Sequence, residues 1–298
     1  MSEETSPSTG RRYGIARTAR VWGVGRSTVH LHRARREAGC PPARRRGPQG
    51  PCPDEELVEH IRAVLSASPF HGEGYRKAWA RLRHAGIRTS RDRVRRLMRQ
   101  HGLSAPYHPL RRRGSKAHDG RVTTDLPDEV WGTDATQVLT REGTATIFIA
   151  VEHCTAECIG IHAARRGTRH EALEPLRQGV RRHFGDYDHN VAHGLTLRHD
   201  HGSQYMSHDF QDELRFLGIR SSPSFVAEPE CNGVAERFIR TLKEQLLWVE
   251  TFDTIEDLRL ALHVFRRRYN ASWLVQKHQH RTPDQVRALL SPPVAYAA

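Results

Sequence analysis

LRHDHGSQYMS, residues 197–207, and ECNGVAERFIRTLK, residues 230–243, decide how this chain is read. Each holds one carboxylate, Asp200 and Glu236, that its neighbours do not explain as packing. Thr196–His199 reads as a short strand, and His201 and Gly202 break it, so Asp200 stands at a strand exit, where polar groups leave a sheet. Glu236 falls in the first turns of a helix with Asn232 as the expected N-cap and Phe238, Ile239, Leu242, Leu246 and Leu247 as its buried stripe. At 3.6 residues per turn, Glu236, Arg240 and Lys243 share the polar face of that helix.

Upstream, VWGTDATQV at residues 130–138 places a third carboxylate, Asp134, inside a strand. An Asp is unfavourable there unless something outside the backbone stabilises it. Two divalent ions, Mg2+ or Mn2+, held by Asp134, Asp200 and Glu236 would do so. Hard oxygen ligands with open coordination positions suit an in-line phosphoryl displacement by a water or a 3′-hydroxyl.

VWGTDATQV, LRHDHGSQYMS and ECNGVAERFIRTLK, in that order and with 35 residues between Asp200 and Glu236, resemble the integrase core of insertion-sequence transposases of the second-reading-frame type. The resemblance runs from about Thr124 to Leu290. It implies a ribonuclease H-like mixed sheet flanked by helices, with Asp134, Asp200 and Glu236 as catalytic acids and metal ligands. Lys243 matches a position that contacts transposon-end DNA in that family, and Arg240 lies beside it. The stretch Glu152-His153-Cys154-Thr155 departs from the family's Asp followed by a Ser-Arg pair. Glu152 is therefore a rival fourth carboxylate, with a structural role as the alternative. Tyr269-Asn270 and Arg281-Thr282-Pro283 resemble the family's closing motifs, whereas residues 271–280 do not follow its pattern.

Charge is distributed unevenly. Residues 1–117 carry 26 Lys and Arg against 9 Asp and Glu, a net of +17, and residues 118–298 carry 21 against 25, a net of −4. An arm this basic neutralises phosphates and releases counterions, the main source of sequence-independent DNA affinity. Only four of the 47 basic residues are Lys, which reflects GC-rich codon usage. No apolar run approaches a membrane span and the N-terminus lacks a signal-peptide core, so a cytoplasmic, nucleoid-associated protein is expected. Five scattered cysteines favour reduced thiols over a disulfide framework.

Within the basic arm, residues 1–10 read as disordered, and 11–39 as a helix-turn-helix turning through Trp22–Gly25, with Arg26, Ser27, Thr28 and His30 nearest DNA. A short amphipathic hairpin with a solvated basic face is the alternative. Residues 40–53 hold five prolines and form a linker. The spacing of His30, His32, Cys40 and Cys52 lacks the paired Cys-x-x-Cys of a zinc module. Residues 54–105 read as a second helix-turn-helix. Gly86 ends its middle helix and Ser90 caps its last, which presents Arg91, Arg95, Arg96 and Arg99 outward as phosphate contacts with no acid to offset them. Residues 106–123, with the basic cluster Arg111–Lys116, form another linker, and 291–298 a tail.

In the core at 124–290, three consecutive strands (from Val130, Thr144 and Ile159) predict an antiparallel meander. A helix follows from Thr168, which Pro175 should kink or delay. A loop at 222–231 precedes the Glu236 helix, and its ordering by DNA would bring Glu236 to metal. Cys154 and Cys158, near His153 and His162, lack the pairing of a stable zinc site. The expected whole is an α/β enzyme preceded by small all-α modules. It would cut element ends and transfer the 3′-hydroxyl strand into target DNA, as a homo-oligomer on DNA and with a partner from the upstream reading frame. A DNA-binding regulator and a ribonuclease H-type nuclease are the competing classes; three acids serve no purpose in the first, and two basic modules none in the second.

Overall fold

The computed structural model describes residues 3–39, 52–106, 124–223 and 232–291. The chain divides into two units, residues 1–50 and 51–298.

In the first unit, α1 (Gly14–Val21) and α2 (Arg26–Glu37) are joined by the expected turn, in which Gly23 adopts φ +62°. The interior of this hairpin is slight. Ala19 is buried on α1, nothing is buried on α2, and Val21, Trp22 and Leu31 are exposed. Residues 3–10 depart from the disorder expected of their polar composition. Thr5 bridges Arg12, and the Ser6 and Tyr13 N–H groups donate to the Arg11 and Glu4 carbonyls, closing a turn whose last residue, Gly10, has φ +62°.

The second unit opens with α3 (Asp54–Ser66), α4 (Tyr75–His84) and α5 (Arg91–Gln100) around Leu57, Ile61, Ala78, Leu82, Val94, Leu97 and Met98. Asp54, Glu55 and Glu56 meet the positive end of α3. The Ser90 hydroxyl accepts the Arg93 N–H at 3.2 Å to cap α5, and Gly86 at φ +82° follows α4, both as predicted. This module packs directly on the core. Phe70 meets Trp273 edge-on at 4.9 Å, Arg76 donates to Gln276 at 3.1 Å, and the Gln245 side chain pairs with the His71 backbone through bonds of 2.8 and 3.0 Å. The two linker segments, residues 40–51 and 107–123, lie outside the described residues, as do 224–231 and 292–298.

The core is a five-stranded sheet in the order β3-β2-β1-β4-β5. Its strands are β1 (Val130–Thr140), β2 (Gly143–Glu152), β3 (Cys158–Ala164), β4 (Thr196–His199) and β5 (Arg220–Pro223). The first three form the predicted antiparallel meander, and β4 and β5 add in parallel beyond β1. Strand period two sorts β2 between two cores. Ile147, Ile149 and Val151 face α9 (Gly233–Leu242) and α10 (Ile255–Ser272), while Phe148 and Ala150 face α6 (Arg169–His183), the short α7 (Ser203–Met206) and α8 (His208–Leu217).

Helix α6 starts at Arg169, capped by Thr168, and runs through Pro175 rather than starting late. Its Pro175 carbonyl lies over Gly160 of β3, where a Cβ would stand 2.0 Å from it. Tyr269 of α10 is buried against Phe238, and the Asn270 side chain caps β3 by bonding both the N–H (2.9 Å) and the carbonyl (3.0 Å) of Cys158. Thr282 and Gln285 form a capping box that starts α11 (Pro283–Leu290). Within the unpatterned stretch 271–280, Lys277 donates to the His153 carbonyl at 2.7 Å and His278 bonds the Cys154 carbonyl at 2.7 Å.

A candidate acidic active site

The parallel pairing of β1 with β4 ends at Gly132 opposite Arg198. Two residues further along each strand stand Asp134 and Asp200, so the sheet itself brings two distant carboxylates to one level. Asp134 is half-buried and its Oδ1 accepts the Ala135 N–H at 2.7 Å. Asp200 is exposed at the strand exit, as predicted, and its Oδ1 accepts the Gly202 N–H at 2.8 Å. A Cβ at 202 would lie 2.8 Å from the same oxygen and 2.5 Å from the Gln204 amide, so glycine spares both side chains a shift.

Glu236 comes from the first turn of α9, on the surface, while Phe238, Ile239 and Leu242 anchor the helix beneath it. Its charge reaches Asp134. Burial first, then the negative charges of Asp200 and Glu236, push the Asp134 carboxyl up to about 6, opposed by the Ala135 N–H and by the positive charge of Lys243. A group held half-desolvated among like charges is the electrostatic signature of a cation site.

The donor set, three carboxylates offering hard oxygens, fits a divalent ion such as Mg2+ or Mn2+. Among the described residues no three acidic, His or Cys side chains stand close enough to share one ion. The acids therefore share a field in this conformation without being gathered at ligand distances.

Two groups behind the acids, His199 and Tyr205, left no signal of function in the sequence. His199 is fully buried, bonds the Asp200 carbonyl at 2.7 Å and Ser221 at 2.8 Å, and packs on Tyr205, itself fully buried. Lys243 is half-buried and opens a π-helical turn, Lys243–Leu247, that continues α9. Arg240 is exposed and bonds Glu244 at 2.8 Å along the same helix. Asn232, expected as the N-cap of α9, makes no capping bond; its amide donates instead to the Thr133 carbonyl at 2.9 Å.

Glu152 takes the structural role. It is fully buried, and its oxygens accept the backbone N–H groups of Cys154 (2.8 Å) and Thr155 (2.5 Å) and the Thr155 hydroxyl (2.7 Å). Cys154 and Cys158 are buried free thiols.

Of the DNA-contact residues expected in the modules, Arg26, Ser27 and Thr28 form the exposed first turn of α2. On α5, Arg91 and Arg95 lie over the rings of Trp79 and Tyr75, and Arg99 is exposed. Arg96 corrects the expectation that these arginines face no acid. With Arg93 it binds Asp54 of α3, at 2.7 and 2.8 Å, and holds that carboxyl below the usual range. Asp54 is far from α5 in sequence, so helix periodicity gave no warning of the pair.

The sequence matches two integrase core domain families, over residues 125–229 and 217–283, and an HTH-like domain family over residues 53–113. Residues 125–283 of this chain thus match an integrase core. It is 27% identical over 250 residues to the "Insertion element IS2A uncharacterized 48.2 kDa protein" of Escherichia coli, matching 81% of this chain and 57% of that one. It is also 27% identical over 245 residues to the E. coli "Transposase InsD for insertion element IS2A/D/F/H/I/K", matching 80% of this chain and 78% of that one. The chain thus spans little more than half of the first relative and about three quarters of the second. Among solved structures, the catalytic core domain of BIV integrase aligns over 54% of this integrase-core chain and 93% of its own, with a TM-score of 0.41 and 20% identity. Among the described residues no helix is long and apolar enough to cross a membrane.

Proposed function

We propose that this integrase-core chain is the transposase of an insertion element. It cleaves DNA at the element's ends and joins the freed 3′-hydroxyl to a target phosphate. Asp134, Asp200 and Glu236 act as the acidic triad. The observation that carries the reading is that Asp134 feels the charges of both other acids and of Lys243, although 66 to 109 residues of chain separate it from them.

Bound by the three carboxylates, divalent metal would supply a Lewis acid that activates the attacking hydroxyl and stabilises the leaving oxygen of an in-line displacement. The residues of the chain do the rest. Asp134 and Asp200, fixed by their backbone N–H bonds, present oxygens from adjoining strands. Lys243 offers a positive charge to a DNA phosphate beside the acids, and Arg240 extends that surface along the helix. Arg91, Arg95 and Arg99 on α5, with Arg96 partly engaged by Asp54, and Arg26, Ser27 and Thr28 on α2, hold end DNA mainly through its backbone. Joining two ends calls for a homo-oligomer on DNA, and a product of the upstream reading frame is a candidate partner. The chain works in the bacterial cytoplasm at the nucleoid.

The test is Asp200→Asn assayed on DNA carrying the element's terminal repeats. Cleavage and joining are lost while end binding stays within a few fold; joining at wild-type rates refutes the triad.

A further inference from the structure

One side chain ties the first turn of α9 to β1. Asn232 is buried, and its Nδ2 donates to the Thr133 carbonyl at 2.9 Å across 99 residues of sequence. Thr133 precedes Asp134, and Asn232 lies about one helical turn before Glu236. The bond therefore closes a short bridge from one acid to the other, through a peptide unit, an amide and a turn of helix. Strand β4 pairs with β1 only as far as Gly132. Beyond that point no strand among the described residues bonds this edge of β1, and the Asn232 amide serves the next carbonyl.

Gly132 makes room for the bridge. A Cβ there would stand 2.4 Å from Asn232 Oδ1 and 2.7 Å from His153 Nε2. Both neighbours are buried, and the His153 ring interacts with the Asn232 side chain while its Nδ1 has no hydrogen-bond partner among the described residues. A crowded, under-satisfied polar contact of this kind is costly in a core and is retained where it serves a purpose.

We propose that Asn232 is a positioning residue whose amide bridge to Thr133 sets the separation of Glu236 from Asp134, and that Gly132 keeps open the space the bridge occupies. The inference rests on the reading of Asp134, Asp200 and Glu236 as a metal-binding triad. It places two further residues of the quoted motifs, neither of them a carboxylate, in the service of that triad. His153 interacts with the Asn232 side chain and so can support the bridge, but it does not span from α9 to β1.

The experiment titrates the full-length protein with Mn2+ alone and reads bound metal by electron paramagnetic resonance, with folding followed by circular dichroism. Asn232→Ala weakens Mn2+ binding by about 10–100-fold, as expected for a group that orients metal ligands from outside. Gly132→Ala, which drives the amide away from the strand side, gives a loss of the same order. Asn232→Gln keeps an amide on a longer stem, loses less than the alanine variant, and serves in its place should that variant not fold. His153→Ala, which removes a neighbour of the amide but leaves its bond to Thr133, loses less than Asn232→Ala. Wild-type Mn2+ binding by the folded Asn232 and Gly132 variants overturns the proposal, as does a loss in His153→Ala equal to that in Asn232→Ala. Asp134→Asn separates the two levels. Unchanged Mn2+ binding in that variant sinks the triad itself, whereas its loss there together with normal binding in Asn232→Ala sinks only the bridge.

Discussion

Arg287 in the last helix donates to both oxygens of Asp128, at 2.8 and 3.0 Å, and so fastens α11 to the residue that leads into the first core strand. The same guanidinium contacts Glu157, which is fully buried and also lies 3.4 Å from Arg182. Removing one partner of such a cluster leaves the other charges buried and uncompensated. Arg287→Ala is expected to lower the unfolding free energy by about 3–5 kcal/mol, measured by urea titration. A loss near zero would show that the cluster does not hold the C-terminal helix.

Gly160→Ala should be among the more damaging single-methyl additions in the core. The new Cβ would meet the Pro175 carbonyl at 2.0 Å, and backbone cannot rotate aside as a side chain can. Either α6 lifts from β3 or the strand bends, at an expected cost of about 3 kcal/mol or more. Thermal unfolding of this variant beside Ala163→Gly, a change at a buried neighbour in the same strand, separates steric overlap from strand propensity.

Asp134 gives the metal-free protein a definite pH dependence. Its folded-state pKa, about 6, lies above the ordinary 3.8, so the folded protein holds this proton more tightly than the unfolded chain does. Stability therefore falls as pH rises from about 4 to about 6 and stays lower above that window. Asp134→Asn removes the penalty and should stabilise the metal-free protein at pH 7 by on the order of 1–3 kcal/mol, with little effect at pH 4. Metal affinity runs the other way, weakening below about pH 6 as the proton competes for the carboxylate. Denaturation at the two pH values, in chelator and then in Mn2+, checks both signs.

Arg99 and Arg96 should behave differently although both belong to α5. Arg99 is exposed, so Arg99→Ala is expected to reduce the salt slope of end binding by about 0.9 and leave stability unchanged. Arg96 binds Asp54, so Arg96→Ala should act first on the module's stability. Salt-dependent binding isotherms beside melting curves for the two variants distinguish a phosphate contact from an internal tie.

Local pattern made much of this legible in advance. The β-branched run Thr144–Val151 marked a strand buried on at least one face, Ser90 and Gly86 marked helix ends, and the break after His199 put Asp200 at a strand exit. The unread features all depend on partners far off in sequence. Asn232 has the residue type of a helix cap, and only the end of the β4 pairing at Gly132 shows why it bonds Thr133 instead. Arg96 looked like one of four free charges until Asp54 arrived from another helix. Glu157 and Arg287, 130 residues apart, leave no periodicity at all. Pro175 was legible as a helix disturbance, but not the fact that its carbonyl would find a glycine to rest on.

The wide turn at Lys243–Leu247 has a consequence for how this protein can change over time. A π turn holds one residue more than an α turn, so side chains on either side of it fall out of step by about 100°. Within this turn Lys243 faces the acids and Gln245 faces the backbone of His71 in the neighbouring module. Deleting Glu244 would restore a regular spiral and swing Gln245 by about 100° off the backbone of His71 while Lys243 stayed in place. Relatives that lengthen or shorten this helix must therefore re-engineer the seam between catalytic core and helical module in the same step.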